Sequence, residues 1–153
     1  MKKFCFSLDT VLDYRRQIQD ALQVELGVLT EEVRRQELAL AAAKRKYVGI
    51  NEEFRRKKAE GMRIAELRGY DTALEVQEKV ILWEAERLKT LQKRMEAKRR
   101  ELVSAKQDAS SVEKLREKKL QAYTKEREKS EEQFIDDLVG ARRGAAGDAS
   151  PLS

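Results

Sequence analysis

Histidine is absent from the 153 residues, and cysteine and proline occur once each, at Cys5 and Pro151. Without histidine the chain has no use of the commonest general base and metal ligand. Cys5 has no second Cys and no His with which to hold zinc, and alone it forms no intramolecular disulfide, so a reducing cytosol is the simpler setting. No apolar run approaches the roughly 20 residues that cross a bilayer. The opening stretch from Met1 to Phe6 carries two lysines but too few apolar residues for a signal peptide. These absences predict a cytoplasmic chain that meets a membrane only through partners. No glycine pattern resembles a phosphate-cradling loop. The carboxylate pairs Glu31 with Glu32 and Asp136 with Asp137 have no pocket that would make an acid–base couple of them. The sequence therefore predicts no enzyme, no cofactor and no metal site.

What the chain has in abundance is charge, 40% of all residues, with both signs interleaved and a net charge of +5. Between the charges runs an apolar seam with steps of three and four: Leu8, Val11, Arg15, Ile18, Leu22, Leu26, Leu29, Val33, Gln36, Leu40, Ala43, Tyr47, Ile50, Phe54. After a break it resumes as Leu74, Gln77, Ile81, Glu84, Leu88, Leu91, Met95, Lys98, Leu102, Ala105, Ala109, Val112. This period is the coiled-coil signature. The expected fold is all-α, a long antiparallel two-helix coiled-coil hairpin with a longer second helix, monomeric when free.

Local signals set the expected boundaries. Ser7 is placed to cap the first helix, Asp9 follows in its first turn, and Phe6 with Val11 has the spacing of a hydrophobic staple. The first helix is expected over residues 8–58, ending in the basic cluster Arg55 to Lys58. Two successive steps of four around Leu22 amount to a stutter, which locally unwinds a supercoil. Gly61 and Gly69 mark the reversal at 59–70, and Asp71 or Thr72 can cap a second helix over 71–139. Residues 140–153, rich in Gly, Ala and Ser, read as a disordered tail. At ~1.5 Å per residue the helices would span roughly 75 and 100 Å, so about five final turns of the second, with Tyr123 and Phe134, should project past the first. A lone helix of this kind is marginal in water unless a partner surrounds it. Phe134, Ile135 and Leu138 on adjacent turns are its candidate contacts.

Several features leave alternatives open. The basic clusters Arg15 with Arg16, Lys93 with Arg94, Lys98 to Arg100, and Lys114 with Arg116, Lys118 and Lys119 could follow phosphates along a nucleic acid. Neighbouring Glu96, Glu101, Glu113 and Glu117 favour a solvated face laced by ion pairs. Arg15 in the seam either sets register or faces a partner at the open end. Met62, Ile64, Leu67 and Tyr70 either plug the tip or join Ala73, Val76, Val80 and Trp83 as an apolar docking surface.

The opening Phe4-x-Phe6-x-Leu8-Asp9-x-Val11-Leu12-x-Tyr14-Arg15 and the closing run Val112-Glu113-Lys114-Leu115-Arg116-Glu117-Lys118-Lys119, with Tyr123 and then Glu131-Glu132-Gln133-x-x-Asp136-Asp137, resemble the flagellar export protein FliJ family over residues 4–139. The resemblance implies a non-enzymatic stalk of the flagellar type III export apparatus, similar to the central stalk of rotary ATP synthases and peripherally associated with the inner membrane at the flagellar base. It implies three partners: a hexameric export ATPase that takes the paired termini into its pore, the transmembrane export gate, and export chaperones. Nucleic acid is not among them. Carried onto this chain, ATPase contacts fall on Leu12, Arg15, Arg16, Arg127, Gln133 and Asp136, beside Phe134 and Leu138 of the overhang. The gate stripe would be Ala73, Gln77, Val80 and Glu84. Ala73 and Gln77 depart from the large apolar residues the family can place there, so Tyr70 or Trp83 would supply the aromatic. The stalk of a virulence-type secretion system and a basic coiled coil that binds nucleic acid are the alternatives.

Overall fold

A computed structural model describes residues 2–148. They form two helices packed against each other, α1 (Asp9–Glu60, 52 residues) and α2 (Ile64–Asp148, 85 residues), with no strand among the described residues. The hairpin with its longer second helix is thus the fold.

The boundaries differ from those expected from local signals. The reversal is confined to residues 61–63, where Gly61 takes a φ of +100°. A side chain there would be strained, so the glycine is required. Helix α2 begins seven residues earlier than Asp71 and runs through Gly69: the cost of one glycine, about 1 kcal/mol, is offset by what the extra turns cover. Tyr70 stacks on Phe54 at 5.3 Å, and Leu67 is half-buried. At the other end α2 continues through Gly140, Gly144 and Gly147 to Asp148, so 140–148 is helix where a tail was expected. Alanines and arginines, all good helix formers, carry the chain past Gly140, Gly144 and Gly147. The rest of the expected tail, 149–153, lies outside the described residues.

The chain divides into two units, Met1–Gln17 with Lys106–Ser153, and Ile18–Ala105. In the second, every seam position from Ile18 to Phe54 and from Leu74 to Ala105 is buried or half-buried. Val33, Ala43, Phe54, Leu91, Leu102 and Ala105 form the closed part. The helices run antiparallel, since Tyr70 meets Glu53, Gln77 meets Ala43, Gln36 meets Glu84 and Lys98 meets Glu25. Each polar member of this seam has a partner across it. The Gln77 amide donates to the Ala43 carbonyl at 2.9 Å. The Gln36 amide donates to the Glu84 carboxylate and, at 3.1 Å, to its backbone carbonyl. Lys98 Nζ stands 2.9 Å from Glu25 and 3.1 Å from Glu101, and these two carboxylates, Glu25 first, hold its pKa up.

Such pairs fix register, because a slip would leave buried polar groups without partners. Gln36→Leu alone should cost about 1–3 kcal/mol by orphaning Glu84, whereas Gln36→Leu with Glu84→Leu should be neutral or stabilising and let the register slip. Urea unfolding and interhelical spin-label distances check both halves.

In the unit that holds the termini, Leu12 and Ala109 are the most deeply buried residues, each 2% exposed. The seam therefore steps Leu8, Leu12, Arg15 and not through Val11, which is 38% exposed. Phe6 is buried, its carbonyl accepts from the Asp9 amide at 3.2 Å, and the segment before it lies against α2 near Tyr123.

Candidate functional site

The candidate contacts on the terminal unit separate into engaged and free side chains. Leu12 belongs to the core. Arg15 pairs with Asp108 and Arg16 with Glu113, each at 3.1 Å, and Arg116 reaches Asp9 at 3.1 Å. These cross-helix pairs dress the surface and keep half-exposed guanidinium groups at its rim, where screening makes them weak. Farther along α2 every residue from 125 to 146 is exposed. Arg127 stands 3.9 Å from Glu131, and Gln133 and Asp136 face solvent. Phe134 is 65%, Ile135 57%, Leu138 50% and Val139 42% exposed. Their spacing puts all four on one side of the helix. Val139 is the member that sequence reading left out, though its place four residues after Ile135 was the available signal.

The unit that holds the turn treats its candidates unevenly. Gln77, 5% exposed, and Glu84 face α1 and are engaged in the seam. Tyr70 is half-buried: it stacks on Phe54, donates its hydroxyl to Glu53 at 3.1 Å, and has Lys57 Nζ 5.7 Å from its ring centre. The Tyr70 hydroxyl is also the main cause that holds the Lys57 pKa up. Ala73 is half-covered, whereas Val80 and Trp83 are exposed, with the Arg87 guanidinium 5.5 Å over the indole. Val76, 55% exposed, completes a run with Val80 and Trp83 at four- and three-residue steps. The geometry thus brings together Val76, Val80 and Trp83, while Gln77 and Glu84 point elsewhere. Of the tip residues, Met62 and Leu67 are half-covered and Ile64 is open to solvent.

Part of the basic surface is met by acids: Lys98, Arg99 and Arg116 in the clusters, and Arg34 outside them. Arg99 pairs with Glu96 at 2.9 Å and Arg34 with Glu31 at 2.6 Å, and the Glu31 pKa falls to about 2, chiefly through the Arg34 hydrogen bond. Among the described residues no His, Cys, Asp or Glu group could hold a metal ion, and no helix is long and apolar enough to cross a membrane.

Compared with known families, residues 3–146 match the one described as Flagellar FliJ protein. Neither the curated proteins nor the solved structures give a match. The family match takes in both helices of the hairpin, the turn and the exposed stretch of α2, and the chain belongs to the flagellar FliJ protein family, a family of flagellar export components.

Proposed function

We propose that this chain is the non-catalytic stalk and coupling component of the flagellar type III export apparatus. The unit with both termini enters the pore of a hexameric export ATPase, the Val76–Val80–Trp83 stripe meets the transmembrane export gate, and export chaperones are further partners. The protein works in the cytoplasm at the flagellar base, held at the membrane through those partners. The observation that supports this reading best is the run of α2 with exposed Phe134, Ile135, Leu138 and Val139. Burying the exposed part of Phe134 and Leu138 would contribute about 1–2 kcal/mol each, which a ring that encloses the helix on all sides can supply.

Arg15, Arg16, Arg127, Gln133 and Asp136 are then polar contacts at the rim, which set orientation and approach more than affinity. Leu12 supports them from the core. For the gate, Val76 takes the place that sequence reading gave to Gln77, and Tyr70 and Glu84 hold the two helices together beneath the stripe.

Capture of tagged full-length chain from cells should recover the export ATPase, and its absence from the captured material contradicts the assignment. The gate stripe has its own check. Val76→Asp with Trp83→Asp should weaken gate binding about tenfold or more, as expected for a contact centred on an aromatic residue. ATPase binding should stay unchanged. Parallel binding curves for the two partners read both effects.

A further inference from the structure

Tyr123 lies where two surfaces of α2 meet. On one side the N-terminal segment covers it: the Phe4 ring stands 5.5 Å away, and the Tyr123 hydroxyl donates to the Lys2 carbonyl at 2.6 Å. The Arg116 guanidinium lies 5.5 Å over the Phe4 ring. On the other side Tyr123 lines an open groove with Arg127, Ser130 and Phe134. Steps of four, three and four residues put these side chains in one stripe along the helix. The N-terminal segment therefore covers the head of a stripe whose far end carries Phe134, 65% exposed.

The covering segment has a buried root and a more exposed stretch ahead of it. Phe6 is 6% exposed, and its carbonyl accepts from the first amide of α1. Ahead of it Lys2, Lys3 and Cys5 are exposed, Phe4 is half-buried, and the backbone is neither helix nor strand. Among the described residues a ring pair, a hydrogen bond and a cation–π contact hold this stretch down. Contacts of that number and kind open locally without unfolding the helices beneath.

We propose that Lys2 to Cys5 form a detachable strap, hinged at Phe6, that occupies the first turns of the partner face of α2, so that strap docking and partner binding at Tyr123 exclude each other. The identity of that partner rests on the export ATPase reading above. The docked strap lowers apparent affinity by the fraction of molecules in which it is closed. It makes engagement of the ring a competition between an internal aromatic and an external surface.

Cys5 is the chain's one cysteine and is exposed, so a spin label there reports on the strap in the full-length protein. In the free protein the label should be restricted, and Phe4→Ala should mobilise it. On addition of purified hexameric export ATPase, with co-migration followed on a sizing column, the label should become mobile in the complex. Phe4→Ala should bind about 3- to 10-fold tighter, the effect of removing one aromatic contact that competes with binding. A label as mobile in free wild type as in Phe4→Ala overturns the strap. A complex in which the label stays restricted, or a Phe4→Ala variant that binds no tighter, does the same and leaves the ATPase reading intact. No co-migration of either protein overturns the ATPase reading and the strap with it.

Discussion

Phe134→Ala together with Leu138→Ala is expected to cut stimulation of the export ATPase by about tenfold or more while moving the melting temperature by no more than about 2 °C. The two halves have one cause. Both side chains stand at least half in water, Phe134 at 65% and Leu138 at 50%, so the folded chain gains little from them. A surface that surrounds them would gain the transfer free energy of the half to two thirds of each side chain still in water, about 1–2 kcal/mol each. ATP hydrolysis measured against added full-length chain, beside thermal unfolding of the same preparations, reads both quantities. A large fall in melting temperature would mean that α2 buries this face within its own fold, and unchanged stimulation would mean that the ring does not use it.

The second large effect concerns stability. Leu12→Ala should cost about 2–4 kcal/mol, whereas Val11→Ala, one residue away, should cost less than about 0.5 kcal/mol. Leu12 is 2% exposed and Val11 38% exposed, so only the first substitution opens a cavity between the helices. Denaturant unfolding of the two variants makes the comparison. It also sorts the role of Leu12: weaker ATPase binding that returns once the hairpin is stabilised elsewhere belongs to the fold and not to a contact. Equal losses for Val11→Ala and Leu12→Ala would contradict the observed seam.

The interior of this hairpin could be read almost wholly from the order of residues, because a two-helix contact is a one-dimensional object and its period is written in the sequence. From Ile18 to Phe54 and from Leu74 to Val112 the expected seam is the observed one, polar members included. It slips only where the chain offered two apolar neighbours, Val11 and Leu12. From Leu8 a step of three or of four is equally helical, and only the position of α2 decides between them.

The turn was misjudged for another reason. Propensity treats Gly61 and Gly69 alike, yet one takes a positive φ and the other sits inside α2, where Tyr70 stacked on Phe54 outweighs its cost. On the candidate surfaces, sequence found the exposed apolar run of α2 because nothing at hairpin register could cover it. It could not know that Gln77 and Glu84 face α1. A motif position marks a place along the helix, and only the seam tells which side the residue presents. The docking of Phe4 on Tyr123 was invisible for a related reason: a short non-helical segment has no period from which its partner could be inferred.

Amide hydrogen exchange over residues 125–139, with and without the hexameric export ATPase, tests the stalk assignment most directly. Every residue in that stretch is exposed, so the free protein should exchange it quickly compared with the buried seam around Leu102. Binding of the ATPase should slow exchange there, with the largest change around Phe134 to Val139. Equal exchange of this segment in the free and ATPase-bound protein would contradict the assignment of α2 as the helix that enters the ring.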